Sequence, residues 1–137
     1  KLIFVATPEY LATYGAPKNL DDVAGHRVVK QVSGTWGRVN QFMHAGNRLE
    51  FTLSDVFVVN SPNAARNAVL TGRSLGLLAD YLTAELIAEG RLLRVLPDYE
   101  TIDQPIYAVF VHRNYMPAKV RAFLDYIVDA LGERTEV

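Results

Sequence analysis

Short apolar runs alternate along this chain with stretches in which apolar residues recur every three or four positions, a pattern that predicts strands separated by helices. The clearest unit is central. The run Val56 to Val59 reads as a strand, and Asn60-Ser61-Pro62 then opens a helix lined by Ala64, Ala65, Ala68 and Val69. Asn60 or Ser61 supplies the cap by accepting a hydrogen bond from a free backbone N–H, and Pro62 suits the first turn, where an N–H is not needed. Gly72 ends that helix, Leu75 to Ala79 forms a second buried strand, and another helix follows to about Glu89, burying Leu82, Leu86 and Ile87. This is a βαβ unit.

The flanking segments follow the same grammar. Leu2 to Ala6 predicts a buried strand, Thr7-Pro8 turns it into a short helix that carries Tyr10 and Leu11 inward to Gly15, and Asn19 caps one turn through Asp21-Asp22-Val23. Arg27 to Val32 predicts the next strand. Ser33-Gly34-Thr35-Trp36-Gly37 is a small, polar loop holding the one tryptophan, and a hairpin follows with Gly46-Asn47 as its turn and Leu49, Phe51 and Leu53 alternating on the return strand. Leu92, Leu93 and Val95 make a further short strand. Asp98 to Gln104 is a polar crossover, Ile106 to Val111 a buried strand, and Pro117 opens a helix striped by Val120, Phe123, Leu124, Ile127, Val128 and Leu131. The whole predicts an α/β domain with a largely parallel sheet and one antiparallel hairpin.

Composition narrows the function classes. In 137 residues, 14 basic and 15 acidic side chains give a net charge of −1 with no basic stripe, so this segment is not expected to hold DNA itself. Cysteine is absent, which excludes disulfides and thiolate metal sites; His26, His44 and His112 share no ligand spacing. No metal or cofactor is expected. Leu2 to Ala6 is too short for a signal peptide, and no run spans a membrane. Gly72-Arg73-Ser74-Leu75-Gly76 matches the G-x-S-x-G pattern literally, but a nucleophile elbow needs a strand before the serine and a helix after it, and here the order is reversed. Without a paired base or phosphate loop the chain reads as a binding domain rather than an enzyme.

In open α/β sheets ligands bind beyond the carboxyl ends of strands, where loops enter helices with unpaired N–H groups. The candidates are therefore Thr7, then Ser33, Gly34 and Thr35, then Asn60 and Ser61. Such residues also serve simply as caps and turns, a reading that stays open for each of them.

Several stretches, in order, resemble one family. They are Val5-Ala6-Thr7-Pro8-Glu9-Tyr10-Leu11-Ala12, Tyr14-Gly15-Ala16-Pro17, Leu20-Asp21-Asp22-Val23-Ala24-Gly25-His26, Trp36 and the helix at Asn60. Gly72 to Gly76 follows with Asp80-Tyr81-Leu82, then Glu89-Gly90-Arg91-Leu92 with Val95-Leu96. Last come Pro105-Ile106-Tyr107-Ala108-Val109 and Lys119-Val120-Arg121-Ala122-Phe123. Together they are similar to the effector-binding domain of LysR-type bacterial transcriptional regulators. A small departure is Ala79, where the family commonly has proline before the Asp-Tyr pair.

The resemblance implies a periplasmic-binding-protein-like (type 2) fold with a mixed sheet flanked by helices. It makes residues from about Thr7 to Val95 subdomain II, and residues 104–131 the returning strand and helix of subdomain I. It also implies a fragment, its winged helix-turn-helix and half of its pocket lying upstream. The function implied is sensing of a small, often anionic metabolite and oligomerisation, in a cytoplasmic regulator that meets promoter DNA through the absent domain. Carried onto this sequence, the cleft residues are Ser33, Gly34, Thr35, Asn60 and Ser61, with Ile106 at the returning strand. The stripe on the last helix points to a dimer or a swapped arrangement. The competing reading is a lobe of a periplasmic solute-binding protein of a transport system.

Overall fold

Leu2–Ala6 (β1) runs apolar without a break because both its faces are covered, and Val28–Gln31 (β2), Val56–Val59 (β5), Leu75–Ala79 (β6) and Leu93–Val95 (β7) join it in one sheet of order β5-β2-β6-β1-β7. The computed structural model describes residues 1–31, 39–54, 56–102, 109 and 117–132. They fall into two units, Lys1–Gln104 and Pro105–Val137.

β2 pairs in parallel with β5 and β6, whereas β1 pairs antiparallel with both β6 and β7. The expected largely parallel sheet is thereby corrected to a mixed one. The connection from β1 to β2 explains it. Its first helix, Pro8–Tyr14 (α1), is only 7 residues long, and Gly15 and Pro17 break it before Leu20–Val23 (α2). The segment thus returns the chain to the edge it left, and β2 starts back in the opposite direction.

Side chains alternate across the strands and build two cores. On one face Ile3, Val5, Val29 and Leu78 meet Ala65 and Val69 of Pro62–Leu70 (α3) and Leu86 of Asp80–Ala88 (α4). The small residues of α3 let it lie close to the sheet. A Cβ on Gly76 would stand 2.5 Å from a Val69 methyl, so this strand position has room for glycine alone. In α4, Thr83 and Leu86 are buried while Leu82 and Ile87 are only half-buried; the Thr83 hydroxyl donates to the Asp80 carbonyl at 3.0 Å, which lets a polar side chain point inward.

The other face carries Phe4, Ala6, Val28, Leu75, Leu77 and Val95 under α1, α2 and a second sheet. That sheet has the order β4-β3-β8, built from Val39–His44 (β3), Asn47–Thr52 (β4) and Glu100–Thr101 (β8). Phe42 is fully buried and stacks on Phe4 with ring centroids 5.6 Å apart. Burial of such a ring stabilises by about 1.5–3 kcal/mol, which fastens the hairpin to the main sheet. The turn residues are Ala45 and Gly46, both at positive φ, and His44 pairs with Asn47. The turn therefore lies one residue before the expected Gly46-Asn47, because a two-residue loop needs positive φ at both of its positions to match the strand twist. The crossover read as strand-poor contributes β8, two residues paired with β3.

The second unit contributes one helix, Ala118–Gly132 (α5), with the Pro117 carbonyl accepting from Val120 and Arg121. Leu124 and Ile127 are half-buried, whereas Phe123 and Val128 are exposed by 61% and 67%. The predicted strand from Ile106 to Val111 lies outside the described residues apart from Val109.

Candidate functional site

The carboxyl ends of β2, β5 and β6 share one edge of the main sheet, and the start of β1 lies beside them, Leu2 pairing with Ala79. Asn60 and Ser61 follow β5 at this edge. Ser61 is extended at φ −119°, caps α3 by accepting from Ala64 N–H at 3.4 Å, and through its carbonyl accepts from Ala65 at 3.0 Å. Pro62 has no N–H. The Asn63 amide is thus the first-turn donor left without a partner among the described residues, at the positive end of a nine-residue helix. Asn60 is exposed and Ser61 half-buried, so both are reachable by a ligand.

Thr7 is elsewhere. It also caps a helix, accepting from Tyr10 N–H at 3.2 Å, but it is 4% exposed and follows a strand that runs against its neighbours. It therefore lies at the opposite edge, about 17 Å away along strands of five residues. Its oxygen would stand 3.3 Å from a Cβ on Gly72, which at φ +71° ends α3. The structure brings Asn60 and Ser61 together and sets Thr7 apart. Ser33, Gly34, Thr35 and Ile106, as well as Trp36, lie outside the described residues.

Two residues at the Asn60 edge went unnoticed in the sequence. Lys30 is the penultimate residue of β2, paired with Val58 on one side and Leu77 on the other, and is only 2% exposed. Burial lowers its pKa by disfavouring the charged ammonium. The available signal was a lysine in a strand apolar enough to be central. Thr101 is the second. Its hydroxyl accepts from Leu2 N–H at 2.7 Å and donates to the Leu2 carbonyl at 3.0 Å, which satisfies β1 where the three-residue β7 no longer reaches. Beside it Lys1 Nζ lies 2.8 Å from Glu100, and this hydrogen bond, with the lysine charge, lowers the Glu100 pKa. A cavity of about 360 Å³ is lined there by Lys1, Met43, Arg48, Glu100, Thr101 and Ile102; Asn60 and Ser61 do not line it.

Comparison with known proteins places these elements in context. Residues 1–132 match the family model described as the LysR substrate binding domain. The chain is 31% identical over 134 residues to the HTH-type transcriptional regulator CrgA of Neisseria meningitidis serogroup C, covering 93% of this chain and 43% of that protein. To the uncharacterized HTH-type transcriptional regulator YcaN of Escherichia coli K12 it is 34% identical over 132 residues, covering 93% and 41%. Among solved structures, full-length AphB, a Vibrio cholerae virulence activator of the LTTR family, superposes with a TM-score of 0.79 at 26% identity, over 95% of this chain and 44% of that one. The regulatory domain of CrgA from Neisseria meningitidis gives 0.76 at 28% identity, over 96% and 64%. The chain spans less than half the length of the curated relatives it matches.

Proposed function

Because the chain belongs to the LysR substrate-binding domain family, we propose that it is the effector-sensing part of a transcriptional regulator, binding a small anionic metabolite at the Asn60 and Ser61 edge. The match of residues 1–132 carries this reading, and the helix-turn-helix regulators among its relatives favour it over a transport protein's solute-binding lobe. The negative charge of the effector is argued from the edge itself. An open helix N-terminus stabilises an anion through its aligned N–H groups. Ser33, Gly34 and Thr35 belong to the proposed site; Thr7, at the other edge, is left out of it. The partners in this reading are promoter DNA, met through a separate DNA-binding domain, and further copies of the same protein, with the exposed Phe123 and Val128 of α5 as apolar contact surface. The setting is the cytoplasm and no catalytic step is involved.

The test is promoter binding by the full-length protein in the presence of a panel of small carboxylates. One of them is expected to change the DNA affinity, and Ser61→Ala with Asn60→Ala to weaken that response about tenfold, the size of a lost charge-assisted hydrogen bond. A response that survives both substitutions unchanged would remove the site from this edge.

A further inference from the structure

The opposite edge of the sheet holds a second concentration of anion-binding chemistry. A cavity of about 250 Å³ is lined there by Tyr10, Tyr14, His26, Arg27 and Arg73, with no carboxylate among its described lining residues. We propose that it is a separate binding site for a small oxyanion, a phosphate group or a carboxylate.

The two arginines come from different loops, yet their positions are set together. Arg27 precedes β2 and Arg73 precedes β6, and the Leu75 N–H donates to the Arg27 carbonyl at 2.9 Å, continuing the β2–β6 pairing past the strand ends. Both side chains are exposed and neither is paired with an acidic residue among the described residues. Two guanidinium groups beside one concavity, neither met by a described carboxylate, favour an anion there, and their planar forks suit phosphate and carboxylate oxygens.

The wall between them is held in place. Tyr10 is 2% exposed, and its hydroxyl lies 2.9 Å from His26 Nδ1. The bond ties the imidazole to the buried phenol, so both rings are held in place beside the two arginines. Tyr14 packs on Tyr10 with ring centroids 4.8 Å apart and gives the cavity an aromatic side. Arginine, histidine and tyrosine together offer mostly donors, the complement of an oxyanion rather than of a cation or a neutral amide. The volume equals that of about eight water molecules, room for phosphate or a carboxylate of a few carbons. This site lies across the sheet from Asn60 and Ser61 and does not depend on the effector reading.

The experiment is a ¹H–¹⁵N titration of the chain at constant ionic strength, with inorganic phosphate in one arm and acetate in the other, chloride making up the balance. Saturable shifts are expected at the amides of Gly25, His26, Arg27, Gly72 and Arg73. Saturation by phosphate alone assigns a phosphate-bearing ligand, and saturation by acetate alone a carboxylate; both support the site. Arg27→Gln and Arg73→Gln, exposed positions whose substitution leaves the core intact, are each expected to weaken binding about tenfold, as loss of a charge-assisted hydrogen bond does. Shifts that grow linearly in both arms, or affinity retained in both variants, overturn the proposal.

Discussion

Thr7-Pro8 and Ser61-Pro62 are the same local device: a hydroxyl cap, then proline, after an apolar strand. Their surroundings differ in every respect that matters to function. Thr7 is buried, bonds its helix at 3.2 Å and is packed against Gly72, whereas Ser61 is half-buried and bonds at 3.4 Å. Helix α3 links the two edges, beginning at Ser61 and ending where Gly72 abuts Thr7. One cap thus sits inside a packed edge, and the other on an accessible one. A cap motif states that a helix starts; only strand direction states which edge it starts from.

The packed edge is the more costly to disturb. Gly76→Ala places a methyl 2.5 Å from Val69 Cγ2, near the end of α3 that meets the Thr7 edge. Both partners are buried, so the expected loss is about 2–3 kcal/mol by overpacking, read by urea denaturation. Unchanged stability would mean that α3 yields freely, and the close approach would carry no structural meaning. Next comes the direct contrast. Thr7→Ala loses a buried cap and is expected to cost about 1–2 kcal/mol, Ser61→Ala about 0.5 kcal/mol because its bond is long and solvated. The functional order is the reverse, with Ser61→Ala weakening the effector response and Thr7→Ala leaving it intact. Equal stability losses, or an effector defect in Thr7→Ala, would erase the distinction between the edges.

Local features were legible because they rest on local physics. Asn19 caps α2 through Asp22 at 2.9 Å, Ser61 takes the cap expected of Asn60 or Ser61, Thr7-Pro8 opens a helix, Gly72 stops α3, and the apolar runs from Leu2 and from Leu75 are strands. What was not legible depends on partners far along the chain. The direction of β1 is decided by pairing with β6, more than 70 residues away, and that pairing moved Thr7 to the other edge. The burial of Lys30 follows from β2 lying between β5 and β6, a position its four residues do not announce. Thr101 sits in a polar crossover and becomes structural only because β7 stops short of Leu2. The hairpin turn shifted for a subtler reason: Gly46-Asn47 and Ala45-Gly46 both contain the glycine, and the ladder register selected the second.

The smallest effect concerns pH at the packed edge. Burial raises the Tyr10 pKa above its ordinary value of 10.0; the charge of Tyr14 adds to the rise, while the Arg27 backbone and charge oppose it. The folded state therefore holds the phenolic proton more tightly than the unfolded chain. The sign follows from linkage: the contribution is fully present below the ordinary value, and it fades as pH climbs from there through the folded value, because in that window the folded state binds more protons. Tyr10→Phe removes the titrating group and the bond to His26, costing about 1 kcal/mol at neutral pH. Urea unfolding of parent and variant from pH 7 upward should show a constant gap that narrows only above pH 10.0. Curves that stay parallel through that range would mean the phenol is as free to ionise in the fold as in the unfolded chain, and its burial would then carry no electrostatic weight.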